Sequence, residues 1–169
     1  MYGALGDHAK ERDVIERALA IKERAYGRDH PEVAITLDNL GNAYGASGEY
    51  AKARDVLERA LAIFERTYGR DHTSVAGTLT NLGNAYGDLG DHAKSRDVLE
   101  RALAINERTY GCDHPEVALI LGSLGMAYGE LGDAAKKREY VTRTLKIFEG
   151  AYGPDHPHAT FYREELAEM

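Results

Sequence analysis

The residues best suited to chemistry in this chain are four histidines that each follow an aspartate. They recur every 42 residues (72 − 30), as His30, His72, His114 and His156. An Asp–His pair could bind a metal ion or transfer protons. However, each His stands at a predicted helix start, and neighbouring helices lie about 8–10 Å apart, whereas zinc ligands lie about 2 Å from their metal. Successive histidines therefore cannot share a metal, and we expect them to cap helices or pack in loops.

The remaining reactive groups do not assemble into a catalytic site. Cys112 replaces Arg28 and Arg70 of the other repeats, and the neighbouring His114 does not make it a catalytic pair. An exposed thiol of this kind could link two chains on oxidation. The Gly-x-Gly spacings lack the preceding strand that a dinucleotide site requires, and acidic residues lie mainly on helix faces beside arginines. We therefore predict no enzyme activity, no cofactor and no bound metal.

Composition and charge exclude several classes of binding partner and location. The chain has 169 residues and a formal net charge of −7, which argues against nucleic-acid binding because that requires a basic stripe. No apolar run reaches about 18 residues, so we expect no membrane span. The first ten residues do not resemble a signal peptide. A single cysteine rules out an internal disulfide and favours a reducing, cytoplasmic location.

Internal repetition sets the architecture. Equivalent glycines at 6, 48, 90 and 132 divide the chain into units 6–47, 48–89, 90–131 and a partial 132–169. The first two units are identical at 30 of 42 positions (12 differ), which fits recent duplication or a consensus-like, engineered array. Repeats of this length stack into a solenoid. We therefore predict one solenoid over residues 1–169.

Each unit contains two helical segments, which we call helix A and helix B. In 31–46 (helix A), apolar residues fall at helical spacing, and 50–68 (helix B) has its own apolar face. Asp29 with Glu32 forms a capping pattern, and short links force neighbouring helices to be antiparallel. Glycines inside helices A, at 41, 83 and 125, predict a close approach, for which we expect Ala60 and Ala102 to supply the other side.

The block Leu40, Gly41, Tyr44, Leu57 and Ala60 resembles the tetratricopeptide repeat. The common form has 34 residues, and the longer helix B here is similar to the variant in kinesin light chain and nephrocystin-like proteins. The resemblance implies an all-α, right-handed solenoid of antiparallel helix pairs, about eight helices in the order B-A-B-A-B-A-B-A. Tyr2 aligns with Tyr44, so the last turn of a helix A should precede the first helix B. Lys137 departs from the small residue that the family favours at Ala53.

In this family, helices A line a concave groove. Spans 31–46, 73–88 and 115–130 contain no Lys or Arg, so the groove lacks the basic clamp that grips a C-terminal carboxylate. Asn42 and Asn84 could hold the backbone of an extended peptide, or could be polar residues on a solvated face. The third unit is apolar at this surface. This could reflect the preference of a ligand, or sequence drift in a groove that is not used. The candidate peptide-groove residues are Ile35, Asp38, Asn42, Thr80, Asn84, Leu119 and Met126.

Two functions remain open at this stage. The first is a protein-interaction scaffold that binds a peptide or a partner surface in the groove. The second is a structural module that associates with itself, as a homodimer or by head-to-tail stacking. The second rests on apolar residues of the first helix B that lack a preceding helix A, namely Val14, Ile15, Ala18 and Leu19. Arg163, Glu165 and Glu168 oppose stacking at the other end, which favours the dimer.

Overall fold

The computed structural model describes the backbone of residues 3–169 and the side chains from residue 10 onward. Over this range the chain forms eight α-helices and no strand: α1 Gly3–Tyr26, α2 Pro31–Ala46, α3 Tyr50–Tyr68, α4 Thr73–Asp88, α5 His92–Tyr110, α6 Pro115–Glu130, α7 Ala134–Tyr152 and α8 Pro157–Ala167. Odd-numbered helices are of type B and even-numbered helices are of type A. The predicted all-α solenoid of helix pairs is confirmed.

The helices pack as two compact units. In Met1–Gly90, which contains α1 to α4, each helix contacts the next one and α2 also contacts α4. In Asp91–Met169, which contains α5 to α8, each helix again contacts the next one. The boundary falls at Gly90, where the third sequence repeat begins. Each unit therefore buries its own apolar helix faces.

The first helix is longer than the sequence suggested. We expected the end of a helix A near Gly6, but α1 runs without a break from Gly3 to Tyr26, and Tyr2 lies outside the described residues. A single glycine costs a helix only about 1 kcal/mol, so a helix can continue through it. The equivalent Gly48 instead has φ of 76°, a left-handed conformation that ends α2 and turns the chain.

The four histidines cap the helices A. The Nδ1 atom of His30 accepts a hydrogen bond from the Glu32 amide at 3.2 Å, and the other three repeat this bond at 3.1–3.3 Å. Each ring also stacks on a tyrosine four residues earlier, with centroids 4.6–4.9 Å apart. The prediction that Asp29 is the cap is wrong, because the extended N-cap backbone belongs to His30.

The glycines inside helices A admit a side chain from helix B. A Cβ atom built on Gly41 would lie 2.5 Å from Cγ of Leu57, and one on Gly125 would lie 2.9 Å from Cγ2 of Val141. Leu57 and Val141 are equivalent positions of the repeat. The close approach is therefore real, but its other side is this large residue and not Ala60, which is itself fully buried.

The last helix pair packs despite Lys137. The aliphatic part of this side chain lies over Gly129, where a Cβ would come within 2.8 Å of Cδ. Its ammonium group reaches Glu165 of α8 at 2.5 Å. Gly122 similarly leaves room for the ring and hydroxyl of Tyr162. Small residues on α6 thus compensate for larger residues on α7 and α8.

We predict that Gly41→Leu destabilises the protein by about 1–3 kcal/mol or more, because the new side chain and Leu57 would occupy the same space. The control is Gly77→Ala in α4, since a Cβ there meets nothing within 4 Å. That change should stabilise the protein by up to about 1 kcal/mol through helix propensity. Thermal unfolding followed by circular dichroism measures both. Equal effects of the two substitutions would contradict the packing argument.

Candidate functional site

One face of α2 is exposed along its whole length. The exposed residues are spaced by four, three and four positions, which places Ile35, Asn39, Asn42 and Ala46 in one stripe. The opposite face is buried and includes Val33, Leu37, Leu40 and Tyr44. The candidate groove residues Ile35 and Asn42 therefore lie at the surface of this helix.

The neighbouring helix α4 continues this surface. Gly77, Asn84 and Asp88 are exposed, and Thr80 and Asn81 are half-buried. The Thr80 hydroxyl donates to the Ala76 carbonyl at 2.9 Å, so it is engaged by its own helix. Since α2 contacts α4, Asn42 and Asn84 lie on adjacent helices of the same compact unit.

Asp38 joins the two helices and is not a freely solvated groove residue. Its Oδ2 atom accepts a hydrogen bond from Nδ2 of Asn81 at 3.2 Å, while its Oδ1 atom is buried without a partner. Burial raises the pKa of the Asp38 carboxyl group, and hydrogen bonds from Thr78 and Asn81 only partly oppose this shift. Asp38 thus contributes to the contact between α2 and α4 at some cost in desolvation.

In the second unit, the equivalent surface is apolar. Leu119 is 43% exposed and Met126 is 61% exposed on α6. Gly122, which lies between them, is buried beneath Tyr162 of α8. Met126 therefore offers a thioether at the position where α2 and α4 carry Asn42 and Asn84, and Leu119 adds an aliphatic group at the position of Ile35 and Gly77.

A repeated hydrogen bond orients α2, α4 and α6 against the helix B before each of them. The Tyr44 hydroxyl donates to Glu16 at 2.6 Å, and the Tyr86 hydroxyl donates to Glu58 at 2.6 Å. Tyr128 donates to Glu100 in the same way. Burial and the neighbouring Glu16 raise the pKa of Tyr44 to about 12. The phenols remain donors at neutral pH and hold the exposed stripes outward.

The residues proposed for self-association fall in two environments. Val14 is 64% exposed, whereas Ile15, Ala18 and Leu19 are half-buried. Ile15 lines a cleft of about 400 Å³ between α1 and α2, so the structure brings it together with the groove candidate Asn42. The cleft is lined by Glu11, Ile15, Asn39, Asn42, Ala43 and Ala46.

Sequence reasoning missed Ile21 and Asn39. Ile21 is 67% exposed, while its equivalents in the other units are 2–4% exposed, namely Ile63, Ile105 and Ile147. Comparison of these repeat positions could have identified it. Asn39 continues the α2 stripe one turn before Asn42, and its equivalent Asn81 makes the bond to Asp38. Asn39 lies four residues after Ile35 and three residues before Asn42, so helical spacing alone places it on the same face and could have identified it.

The described residues show no assembled metal or membrane feature. Within residues 10–169, no three His, Cys, Asp or Glu side chains come together in a way that could hold a metal ion. None of the helices from Gly3 onward is long and apolar enough to cross a membrane. Cys112 is exposed, and its carbonyl accepts a hydrogen bond from Arg143 at 3.0 Å.

The family model for the tetratricopeptide repeat matches residues 1–66, 46–107 and 74–150. The chain belongs to the tetratricopeptide repeat family. Repeats of this family generally mediate protein–protein interactions. No curated protein matches the sequence.

Several solved structures share this architecture. The kinesin light chain of Podosopora anserina with nearly identical TPR-like repeats is 25% identical, with a TM-score of 0.81 over 96% of this chain and 77% of that one. BtubC from P. vanneervenii is 27% identical, with a TM-score of 0.78 over 90% of this chain and 60% of that one. The N-terminal domain of C. elegans stress-induced protein-1 shares the fold at 18% identity, with a TM-score of 0.58 over 81% of this chain and 96% of that one.

We predict that Asp38→Asn makes the protein about 1 kcal/mol more stable at pH 7, because a neutral amide costs less to bury than a carboxylate. A raised pKa means that folding favours the protonated acid. The stability of the original protein should therefore fall as the pH rises through the folded pKa, and the advantage of Asp38→Asn should vanish below about pH 4. Urea unfolding at several pH values measures this.

The control for this experiment is Asp29→Asn, since the Asp29 side chain is 71% exposed. Its effect on stability should be small and nearly the same at every pH. A loss of stability in Asp38→Asn at pH 7 would show that the charged carboxylate is needed between α2 and α4.

Proposed function

We propose that the protein is a non-catalytic scaffold that binds an extended peptide or a partner surface along the exposed stripes of its helices A. The observation that carries this proposal is the chemistry of those stripes. On α2 and α4 they present exposed amides, and on α6 they present Leu119 and Met126, without a Lys or Arg in any of the three helices. Membership of an interaction-repeat family supports the same reading.

The amides suit recognition of a peptide backbone. Asn42 and Asn84 occupy equivalent positions on contacting helices, and each side chain carries both a donor and an acceptor. An extended peptide exposes alternating N–H and C=O groups that such amides can pair with. The lack of Lys and Arg on these helices argues against a ligand that is held mainly by its carboxylates. Separately, the single cysteine is consistent with a reducing, cytoplasmic setting.

We expect the double variant Asn42→Ala with Asn84→Ala to bind peptides roughly tenfold more weakly, because two hydrogen-bonding groups are removed. A random peptide array screened with the original protein supplies the ligands, and fluorescence anisotropy on the best binders gives the Kd values. The control is Thr142→Ala with Lys146→Ala, two exposed positions on the type B helix α7. Equal affinity of all three proteins would overturn the role of the amides, and an array without binders would overturn the peptide-binding function.

A second candidate function, self-association, is favoured by the exposed apolar residues of α1. Val14 and Ile21 lie two helical turns apart on this helix and are 64% and 67% exposed. Burying such side chains fully stabilises an interface by about 1.5–3 kcal/mol each. A homodimer that pairs two α1 helices would cover them without involving the polar α8.

If this second function holds, the mass measured by light scattering should rise toward a dimer with increasing concentration, and Ile21→Glu should keep the protein monomeric. Leu89→Glu provides the matched control, because Leu89 is also exposed, at 40%, but lies outside α1. A monomer mass at every concentration up to about 1 mM would exclude a dimer of useful affinity.

A further inference from the structure

The cleft between α1 and α2 points to a second binding site, beyond the proposed peptide groove. It has a volume of about 400 Å³ and combines an apolar wall, formed by Ile15, Ala43 and Ala46, with the amides of Asn39 and Asn42. Its two key residues, Ile15 and Asn39, have equivalents 42 residues later that are engaged inside the same compact unit. Those equivalents show what kind of element covers such a surface.

The equivalent of Ile15 is Leu57, which is 1% exposed. Leu57 packs into the gap left by Gly41, on the helix A that precedes its own helix. Val141 repeats the arrangement against Gly125 in the second unit. Ile15 therefore occupies the position at which the repeat packs a large side chain against a glycine of the preceding helix A.

The equivalent of Asn39 is Asn81, which donates a hydrogen bond to Asp38 at 3.2 Å. Asp38 lies on the same helix A as Gly41, three residues earlier. One helix thus satisfies both Leu57 and Asn81, through an acceptor and a glycine spaced by three residues. Asn39 is exposed, and its amide is available for the same kind of acceptor.

We propose that the cleft binds an amphipathic helix from a partner protein that carries the helix A pattern, with an acceptor three residues before a glycine. The glycine seats Ile15, the acceptor pairs with the Asn39 amide, and flanking apolar residues cover Ala43 and Ala46. The recognition combines shape with one hydrogen bond from the Asn39 amide, at a cleft whose lining also includes the carboxylate of Glu11.

A second copy of this chain does not offer such a helix. Helices α2, α4 and α6 are already buried against helices B of their own units. The last helix, α8, has Ala167 where Gly41 stands and Arg163 where Leu37 stands. Because a Cβ at position 41 would lie 2.5 Å from Leu57 Cγ, the methyl group of Ala167 would collide with Ile15 in the same geometry.

The test uses a labelled peptide that copies residues 31–46 and therefore carries the acceptor and the glycine in the required register. We expect it to bind the 169-residue chain in fluorescence anisotropy, and the same peptide with Gly41→Leu to bind at least about tenfold more weakly. Leucine forms helices better than glycine does, so weaker binding could not result from a loss of helicity in the peptide. It would instead show that the larger side chain does not fit the cleft. Equal binding of the two peptides, or binding of neither, would overturn the proposal.

Variants of the protein locate the site. Asn39→Ala should weaken binding of the unmodified peptide roughly fivefold, and Ile15→Asp should abolish it while the helical circular dichroism spectrum is retained. Thr142→Ala on α7, an exposed position outside the cleft, should change nothing. Retained affinity in Asn39→Ala would overturn the assignment even if Ile15→Asp did not fold. A dimer that is broken by Ile15→Asp would overturn it as well and assign the cleft to a second copy.

The cleft lining shares Asn42 with the proposed extended-peptide groove, whereas Asn84 lies outside the cleft. The groove is therefore tested separately through Asn84 and with array peptides that lack the glycine pattern. Failure of the helix peptide would leave the groove intact, and failure of the groove would leave the cleft assignment intact.

Discussion

The contact on which this structure depends is the insertion of a large helix B side chain into a helix A that has no side chain at the same level. Leu57 against Gly41 and Val141 against Gly125 bring the two helices closer than any alanine would permit. A glycine in a helix interior is unfavourable by about 1 kcal/mol relative to alanine, so packing must outweigh propensity here. Because the two helices lie this close together, the apolar faces of both are buried against each other.

Other repeated interactions set the direction of the helices once they are this close. Each capping histidine ties the start of a helix A to the tyrosine that ends the previous helix B. Near the other end of helices A, Tyr44 and its equivalents bond to glutamates on the preceding helix B. A helix fixed at both ends cannot rotate about its axis, and this is why the same stripe faces outward in α2 and α4.

Much of the fold could be predicted because the repeat displays each position several times. Helix bounds 31–46 and 50–68 agree with the structure, since glycine and proline mark their ends. The cap was assigned to Asp29 because aspartate is the usual cap residue, whereas the backbone conformation that decides between Asp29 and His30 has no signature in the sequence. The break expected near Gly6 failed for a related reason, since a glycine permits a turn without requiring one.

The groove residues were harder to place because exposure depends on contacts between helices. Asp38 was expected at the groove surface, yet it bridges α2 and α4. Only the three-dimensional arrangement shows that Asn81 reaches it. Ile21 was overlooked because its apolar character looks ordinary within a helix B, and its exposure appears only when the packed helices are compared.

The pairing of Gly122 with Tyr162 has a consequence for how this array could have grown. Units 6–47 and 48–89 carry Asp38 and Thr80 at the position of Gly122, and any side chain there would meet the Tyr162 ring. The terminal helix is therefore matched to the glycine of the unit before it, because behind a copy that carries Asp or Thr at this position the Tyr162 ring would have to move. Inserting such a copy before the last unit would require the Tyr162 side chain to rotate away.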